Sequence, residues 1–264
     1  MRALPLLLLA FSLSACATTG DRASLDPRDP HEGFNRSMFA FNDAVDKAAI
    51  KPATTVYRTV TPVPARRGLS NVFANLMEPL NFINNLLQGK PDRAMDSLGR
   101  FVVNTTIGVG GLADHATDLG IQPAREDFGQ TFAVWGAKES PYLVLPLLGP
   151  STIRDGAGTA LQFVADPAQI GLSEAGVGGT ERTVLTGLRL VDARSRLMDA
   201  GVDAVLETSA DPYATARDAF FQRRQAQLRD EDDGPVAVTE EDQDALLREA
   251  LEADTVEPKP EPKD

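Results

Sequence analysis

A chain of 264 residues, of which 42% are hydrophobic and 24% charged, can bury one sizeable core, which we expect in a single domain of about two hundred residues. Of the formal net charge of −12, −11 falls on residues 230–264, where fourteen residues are acidic and three are basic. The remaining body is nearly neutral and lacks the clustered positive surface that nucleic-acid binding requires, so nucleic acid is excluded as a partner.

The first residues predict a bacterial lipoprotein signal. Arg2 supplies a positive start, an apolar run extends from Leu4 to Leu13, and two small residues lie directly before Cys16, the only cysteine. In such a signal the thiol accepts a diacylglyceryl group, and cleavage leaves the lipidated cysteine as the new N-terminus, which takes a further acyl chain. The alternative is an ordinary signal peptide that contains a cysteine.

Lipidation at Cys16 would also determine the location of the protein. We expect a signal peptide over residues 1–15 and a lipidated linker over residues 16–28, anchored stably because two or more acyl chains suffice for permanent attachment. Ala17 follows the cysteine, where an aspartate would be the usual mark for retention in the inner membrane. The expected location is therefore the periplasmic leaflet of the outer membrane.

The body, residues 29–229, is predicted to be all-α because apolar residues recur at helical spacing and strand signals are scarce. A first helix is predicted from the apolar stripe Phe34, Met38, Phe41 and Val45, with Asn42 next to it. Further helices are predicted over 69–76, from Pro79 to Leu87, from Pro91 to Val102, after Thr180, and from Asp211-Pro212 onward.

The middle third of the body breaks this helical pattern. Asp127 can cap a helix that ends at Gly136, and residues 142–150 are then apolar on every side but too rich in proline for a helix interior or a central strand. We interpret the two parts as a hairpin with a charged tip and with wet and dry sides, as a lipid path requires. The alternative, which residue type alone favours, is a buried packing segment. The candidate residues for the path are Phe128, Phe132, Trp135, Gly136, Lys138, Tyr142, Leu143 and Leu145.

The acidic tail, residues 230–264, contains four prolines and is expected to be mostly disordered. Within it, an acidic cap can begin a short helix over residues 240–253, whose apolar side would carry Leu246, Leu247 and Leu251. This segment is either a fluctuating appendage or a docking helix for a partner. The basic end of the preceding helix, around Arg224, is interpreted as a complement to the helix dipole or as a contact for lipid headgroups.

Catalytic and metal-binding constellations are scarce in the sequence. The only histidines are His31 and His115, so a conventional metal site is not expected, and neither a Gly-x-Ser-x-Gly elbow nor a phosphate-binding loop motif occurs. Asp114 and His115, with Asp118, form the one arrangement that resembles an acid–base pair, and they lie in a polar turn. We therefore expect neither an enzyme nor a cofactor, apart from the covalent lipid on Cys16.

Several motifs in a fixed order resemble the MlaA (VacJ) family of outer-membrane lipoproteins, and the resemblance extends from about Asp29 to Arg224. The motifs are EGFNR at 32–36, EPLNFINNLLQG at 78–89, NTTIG at 104–108, EDFGQT at 126–131, PYLVLPLLGPST at 141–152 and DPY at 211–213. The chain departs from the family in the link before Pro141, where fewer glycines imply a stiffer connection.

The resemblance implies an all-helical, ring-shaped body that lies in the periplasmic leaflet of the outer membrane and encloses an amphipathic channel. It places the first helix, with Phe34, Met38, Phe41, Asn42 and Val45, near the membrane-facing wall of the ring. It also implies association with trimeric porins and delivery of phospholipid to the soluble periplasmic carrier MlaC, which keeps the outer leaflet free of mislocalised phospholipid. Two other functions compete with this one: a lipoprotein that only scaffolds outer-membrane proteins, and a lipid hydrolase, for which no nucleophile is found.

Overall fold

A computed structural model describes residues 26–137 and 140–231. The predicted signal peptide, the lipidation residue Cys16 and the link residue Lys138 lie outside the described residues. So does the acidic tail from residue 232 onward, with its three leucines.

The described residues are mostly helical, which confirms the predicted fold class. The helices are α1 (Glu32–Val45), α2 (Lys51–Val60), α3 (Val63–Leu87), α4 (Pro91–Thr106), α5 (His115–Asp118), α6 (Phe128–Val134), α7 (Ile153–Val164), α8 (Pro167–Glu174), α9 (Gly179–Asp199), α10 (Val202–Thr208) and α11 (Pro212–Leu228). The predicted cap of α6 is present, since the Asp127 carboxylate accepts a hydrogen bond of 2.8 Å from the backbone N–H of Gln130. Asp211 caps α11 in the same way.

Helix α3 differs from the prediction. Pro79 was expected to open a new helix, but it lies inside one continuous helix of 25 residues. A proline inside a helix removes one backbone hydrogen bond. Helix α3 tolerates this because it packs along α4 over much of its length, so tertiary packing outweighs the local preference.

The first two helices form one continuous segment with a π turn between them, over Asp46–Ile50. On the far side of this turn, Arg58 of α2 donates a hydrogen bond of 2.9 Å to the backbone carbonyl of Ser195 and pairs with Asp199 at 2.6 Å. Within the turn itself, Asp46 accepts two hydrogen bonds from Arg194, at 2.8 and 2.9 Å. The segment is thereby attached to α9.

The apolar segment after α6 forms a small β-hairpin. Strand β1 (Tyr142–Leu145) pairs antiparallel with β2 (Gly149–Thr152), in a register that sets Tyr142 opposite Thr152. Both strands of a two-stranded sheet are edge strands, which pair with a neighbour on one side only. Proline has no N–H to donate, and such an edge strand tolerates Pro150. The sequence excluded a central strand but did not predict this edge pair.

Burial in this protein is inverted relative to an ordinary soluble domain. Among the described residues, 22 polar or charged residues are buried against 11 hydrophobic ones, while 28 large hydrophobic residues are exposed. Helix α3 illustrates the pattern: Asn81, Asn84 and Asn85 are buried, whereas Ile83 and Leu86 are 43% and 48% exposed. Soluble monomers rarely expose so much apolar surface unless it serves binding.

The same inversion holds in α4, where Met95 and Val102 are exposed while Arg100 and Asn104 are buried. Within the described residues, no helix is both long and apolar enough to cross a membrane. The exposed apolar surface is therefore spread over the faces of several helices.

Candidate functional site

Two asparagines of α1 hold strand β1. The side-chain amide of Asn35 donates a hydrogen bond of 3.1 Å to the carbonyl of Tyr142, and its oxygen accepts one of 2.9 Å from the N–H of Val144. Asn42 repeats the arrangement: its amide donates to the carbonyl of Leu145 at 2.9 Å, and its oxygen accepts from the N–H of Leu147 at 2.7 Å. We call this pair the asparagine clamp.

The spacing of the clamp follows from backbone geometry. Residues seven positions apart lie two helical turns apart on one face, separated by about 10.5 Å along the axis. Three residues of extended chain, the distance from Tyr142 to Leu145, whose carbonyls accept from the two asparagines, span about 10 Å. A primary amide carries both a donor and an acceptor, so each asparagine can replace the peptide group of a neighbouring strand. Helix α1 thus takes the place of a third strand at the edge of the hairpin.

The stripe predicted for the first helix is divided between two environments. Phe34 and Phe41 are exposed, at 42% and 44%, as a membrane-facing wall would require. Met38 instead packs against the buried cluster around Tyr142, and Val45 is half-buried. Asn42 departs from the expectation, because its side chain is bound to the hairpin.

Tyr142 is a packing residue in this structure. It is fully buried, as is Val144, and its ring lies 5.6 to 6.2 Å from the rings of Tyr213, Phe220 and Phe221. Burial, reinforced by the charge of Asp29, raises the pKa of the Tyr142 hydroxyl. A fully buried ring cannot line an open lipid path, so the proposed path role of Tyr142 is corrected, and the packing alternative holds for this side chain. Phe128, 7% exposed, is corrected on the same ground.

The other hairpin candidates keep accessible surface. Leu143, Leu145 and Phe132 are half-buried. Trp135 is 60% exposed, and its indole N–H donates a hydrogen bond of 3.0 Å to the carbonyl of Leu87 at the end of α3. Gly136 follows with a φ of 118°, which a residue with a side chain rarely adopts.

The predicted tip, in the charged link before Pro141, lies outside the described residues and stays a prediction. The β-hairpin has a separate turn at residues 146–148, where Leu147 and Leu148 are 51% and 53% exposed. Arg154 attaches both sides of that link: its guanidinium donates to the carbonyl of Ala137 at 3.2 Å, and its backbone N–H donates to the hydroxyl of Ser140 at 2.9 Å.

An ion network centred on the buried Arg224 joins α6, α7 and α11. The guanidinium of Arg224 donates to both carboxylate oxygens of Asp127, at 2.6 and 2.8 Å, and to Asp155 at 2.7 Å. Gly129 lies against this network, since a Cβ there would come within 2.5 Å of both Arg224 and Asp155. Arg224 is therefore a structural cation, which corrects both interpretations made from the sequence.

The charges of this network lower the pKa of both carboxyl groups. Burial alone would raise the pKa of Asp127, but the hydrogen bonds and charge of Arg224 outweigh it and hold that pKa below its ordinary value of 3.8. For Asp155 burial is likewise outweighed, by Arg154 and Arg224. Both aspartates are ionised at neutral pH.

The possible acid–base pair has a structural explanation. Asp114 caps α5 and accepts hydrogen bonds from the Arg100 guanidinium at 2.9 and 2.8 Å. Burial opposes ionisation of Asp114, but hydrogen bonds from Thr117, Asn104 and Arg100 lower its pKa to about 2. His115 is exposed and contacts Asp118 at 3.2 Å. Within the ranges 26–137 and 140–231, no cluster of three or more potential metal ligands occurs.

Comparison with known proteins finds relatives over the same residues. A family model described as MlaA lipoprotein matches residues 27–227. The intermembrane phospholipid transport system lipoprotein MlaA of Haemophilus influenzae is 34% identical over 229 residues, which cover 85% of this chain and 89% of that protein. The protein of the same description from Escherichia coli strain K12 is 35% identical and covers 80% and 82% of the two chains.

A solved structure shares the fold. It comes from a study of the structural basis for maintenance of bacterial outer membrane lipid asymmetry, is 36% identical, and matches with a TM-score of 0.61 over 76% of this chain and 98% of that chain. The family match, the identities and the shared fold agree over the same body of about two hundred residues. The chain belongs to the MlaA lipoprotein family.

Proposed function

We propose that this protein removes mislocalised phospholipid from the outer leaflet of the outer membrane and passes it towards a periplasmic carrier. The observation that carries the proposal is the inverted burial, with asparagines and ion pairs inside and aliphatic side chains outside. Such a body is suited to a bilayer leaflet, where apolar surface contacts acyl chains. Its polar interior offers a phospholipid headgroup a less costly passage than an apolar wall would.

The finer features of the proposal rest on the family resemblance. These are a lipid anchor at Cys16, a position in the periplasmic leaflet, a ring with a central channel, and association with a trimeric porin and with MlaC. The exposed turn of the β-hairpin, together with Leu143, Leu145 and Phe132, remains the proposed lipid-contacting part of the path.

The function is tested by measuring outer-leaflet phospholipid in a strain that lacks the protein. We expect phospholipid to accumulate there and the barrier to detergent to weaken, with both restored by the intact gene. A scaffold lipoprotein, the second candidate, is supported by the soluble-type packing of Tyr142 and Val144. It predicts that barrel proteins decline in the deletion strain while outer-leaflet phospholipid stays constant.

Placing a carboxylate on the exposed apolar face tests the proposed lipid contact. Leu86→Asp should leave the folded protein about as stable as before, because the side chain is 48% exposed. If the face lies in the leaflet, the charge costs about 2.5 to 3.5 kcal/mol there, and binding to vesicles by the protein should weaken by about a hundredfold. Vesicle flotation measures this, with Thr180→Asp as the matched control. Equal flotation of both variants would contradict the proposed contact.

Removal of the lipid acceptor tests the anchor. The Cys16→Ser variant should accumulate as an unprocessed precursor or fail to reach the outer membrane, because no thiol is left to accept the diacylglyceryl group. Membrane fractionation and the mass of the N-terminal peptide provide the measurement. Normal outer-membrane fractionation of a serine variant would leave the lipoprotein assignment without support.

Truncation tests the acidic tail as a contact for the carrier. Ending the chain after Glu231 keeps the ion pair of 2.6 Å between Asp230 and Lys90 but removes most of the negative charge. A tail that steers and captures the carrier should lose affinity for purified MlaC at low salt, while porin association stays intact. Equal affinity with and without the tail would assign it a solvating role only.

A further inference from the structure

Several unsatisfied hydrogen-bond donors lie on α9 or beside it. Arg182 and Arg189 lie seven residues apart on this helix, and Arg66 of α3 reaches it by donating a hydrogen bond of 3.0 Å to the Ser195 hydroxyl. Four nitrogens of these arginines are shielded from solvent and have no acceptor: Nε of Arg66, Nε of Arg182, and Nε and Nη2 of Arg189. We call these three residues the donor track. It spans about 20 Å of helix.

The geometry of Arg189 is specific. Its Nη1 forms a close ion pair with Asp166, the capping residue of α8, and its guanidinium carbon lies 5.5 Å from the centre of the Phe73 ring. The Nε and Nη2 atoms form the other edge of the guanidinium fork, which is the edge that pairs side-on with carboxylate and phosphate. That edge is the part without an acceptor. A buried donor left unsatisfied costs about 1 to 3 kcal/mol, so four of them in one region call for an explanation.

The charge pattern of α9 supports the same interpretation. Three arginines recur at seven-residue spacing on this helix, and two have a carboxylate partner: Arg196 pairs with Asp192 and Arg189 with Asp166. The buried Nε of Arg182 has no acceptor among the described residues. A guanidinium cannot lose its proton in a protein, so its donors can be satisfied only by an acceptor brought to them.

We propose that the donor track binds the phosphate group of a glycerophospholipid as the lipid passes through the protein. The inference rests on the proposed function and adds the recognition site for the headgroup. A phosphodiester supplies anionic acceptor oxygens in the geometry that the free edge of Arg189 fits, and Arg182 provides the second charge. The Arg189 and Arg66 side chains keep 20% and 12% of their surface exposed. The nitrogens without an acceptor are themselves shielded, so binding requires the guanidinium groups to rotate towards that surface.

The test compares lipids with and without a phosphate. The full-length protein and its R182M/R189M variant are incubated with vesicles containing phosphatidylglycerol or diacylglycerol, re-isolated, and analysed for bound lipid by mass spectrometry. Methionine keeps the apolar bulk of the side chain and removes the donors. The expected result is about a tenfold loss of bound phosphatidylglycerol in the variant, with diacylglycerol equally low in both proteins. Arg196→Met is the matched control, because that side chain lies on the same helix but is 55% exposed, and it should retain phosphatidylglycerol.

The outcomes distinguish failure of the donor track from failure of the proposed function. Equal binding of phosphatidylglycerol by the parent and R182M/R189M would overturn the donor track and leave the proposed function standing. If the parent protein binds neither lipid, that result would instead contradict the proposed function. Loss of bound phosphatidylglycerol to an excess of inorganic phosphate would assign the track to free phosphate. Thermal unfolding by circular dichroism verifies the fold, and if the double variant is unfolded, R182K/R189K keeps the charge while removing the fork and should show an intermediate loss.

Discussion

The Arg224→Met variant is expected to lose about 3 kcal/mol of unfolding free energy. Arg224 is 7% exposed and is the cation shared by Asp127 and Asp155. Methionine preserves most of the apolar volume but leaves the Asp127 carboxylate in place without its partner. Asp155 keeps Arg154, at 2.8 Å, which confines the main loss to Asp127. Equilibrium denaturation at neutral pH measures the change.

The same substitution should weaken the pH dependence of stability. In the parent protein, the folded-state pKa of Asp127 lies below the ordinary 3.8, so its contribution is complete above about pH 4 and is lost as the pH falls through the folded value. In the variant, the lowering by Arg224 is lost and only the N–H of Gln130 still opposes burial, so the folded-state pKa rises towards the unfolded value. The loss of stability on acidification below about pH 4 should therefore be smaller in the variant than in the parent.

The neighbouring residue on α11 provides the control. Arg223 is exposed, and Arg223→Met should change the unfolding free energy by less than about 0.5 kcal/mol at every pH. A parent-like pH profile for Arg224→Met would show that Asp127 does not depend on this cation.

Loss of the asparagine clamp should have the second large effect. In Asn35→Ala, the N–H of Val144 and the carbonyl of Tyr142 lose their side-chain partner. Asp29 also loses the bond of 2.8 Å from Asn35 but keeps those from Tyr213 and Arg217. The two backbone groups of the strand together cost about 3 kcal/mol. Asn42→Ala removes the bonds to Leu145 and Leu147 nearer the surface and should cost about 1 kcal/mol.

Hydrogen exchange separates the two halves of the clamp. The amide of Val144 should lose protection in Asn35→Ala, and the amide of Leu147 should lose protection in Asn42→Ala. Asn71→Ala is the matched control, because Asn71 also bonds a backbone carbonyl, that of Leu112, but does not touch the hairpin. If the clamp positions the hairpin for transport, outer-leaflet phospholipid should rise in both clamp variants and not in the control. Unchanged protection at Val144 in Asn35→Ala would contradict the hydrogen bonds described for that strand.

The sequence predicted the helices better than it predicted which side of them faces inward. Periodicity divides a helix into two faces, and capping residues such as Asp127 and Asp211 mark where helices begin. Neither signal says which face is buried. In α3 the face with Asn84 and Asn85 has the composition of a surface exposed to water, and the structure places it inside.

Two features of the site could not be read from residue type. Asn35 and Asn42 look like polar neighbours of an apolar stripe, and only the strand opposite them reveals their role as substitutes for a peptide backbone. Arg224 follows another arginine at the end of a helix, where a solvent-exposed cation is the usual interpretation. Its partners are 97 and 69 residues away in the chain, beyond any local pattern.

The π turn over Asp46–Ile50 has a consequence for the phase of the first helical segment. Each such turn accommodates one residue more than an α-helix would, which rotates everything after it by about 100° about the axis. The continuous helical segment can therefore direct Asn35 and Asn42 to the hairpin and still present Arg58 to α9. In effect, the π turn is an α-helical segment with one extra residue inserted. Deleting one residue there would give a more regular helix whose second half no longer points Arg58 at Ser195.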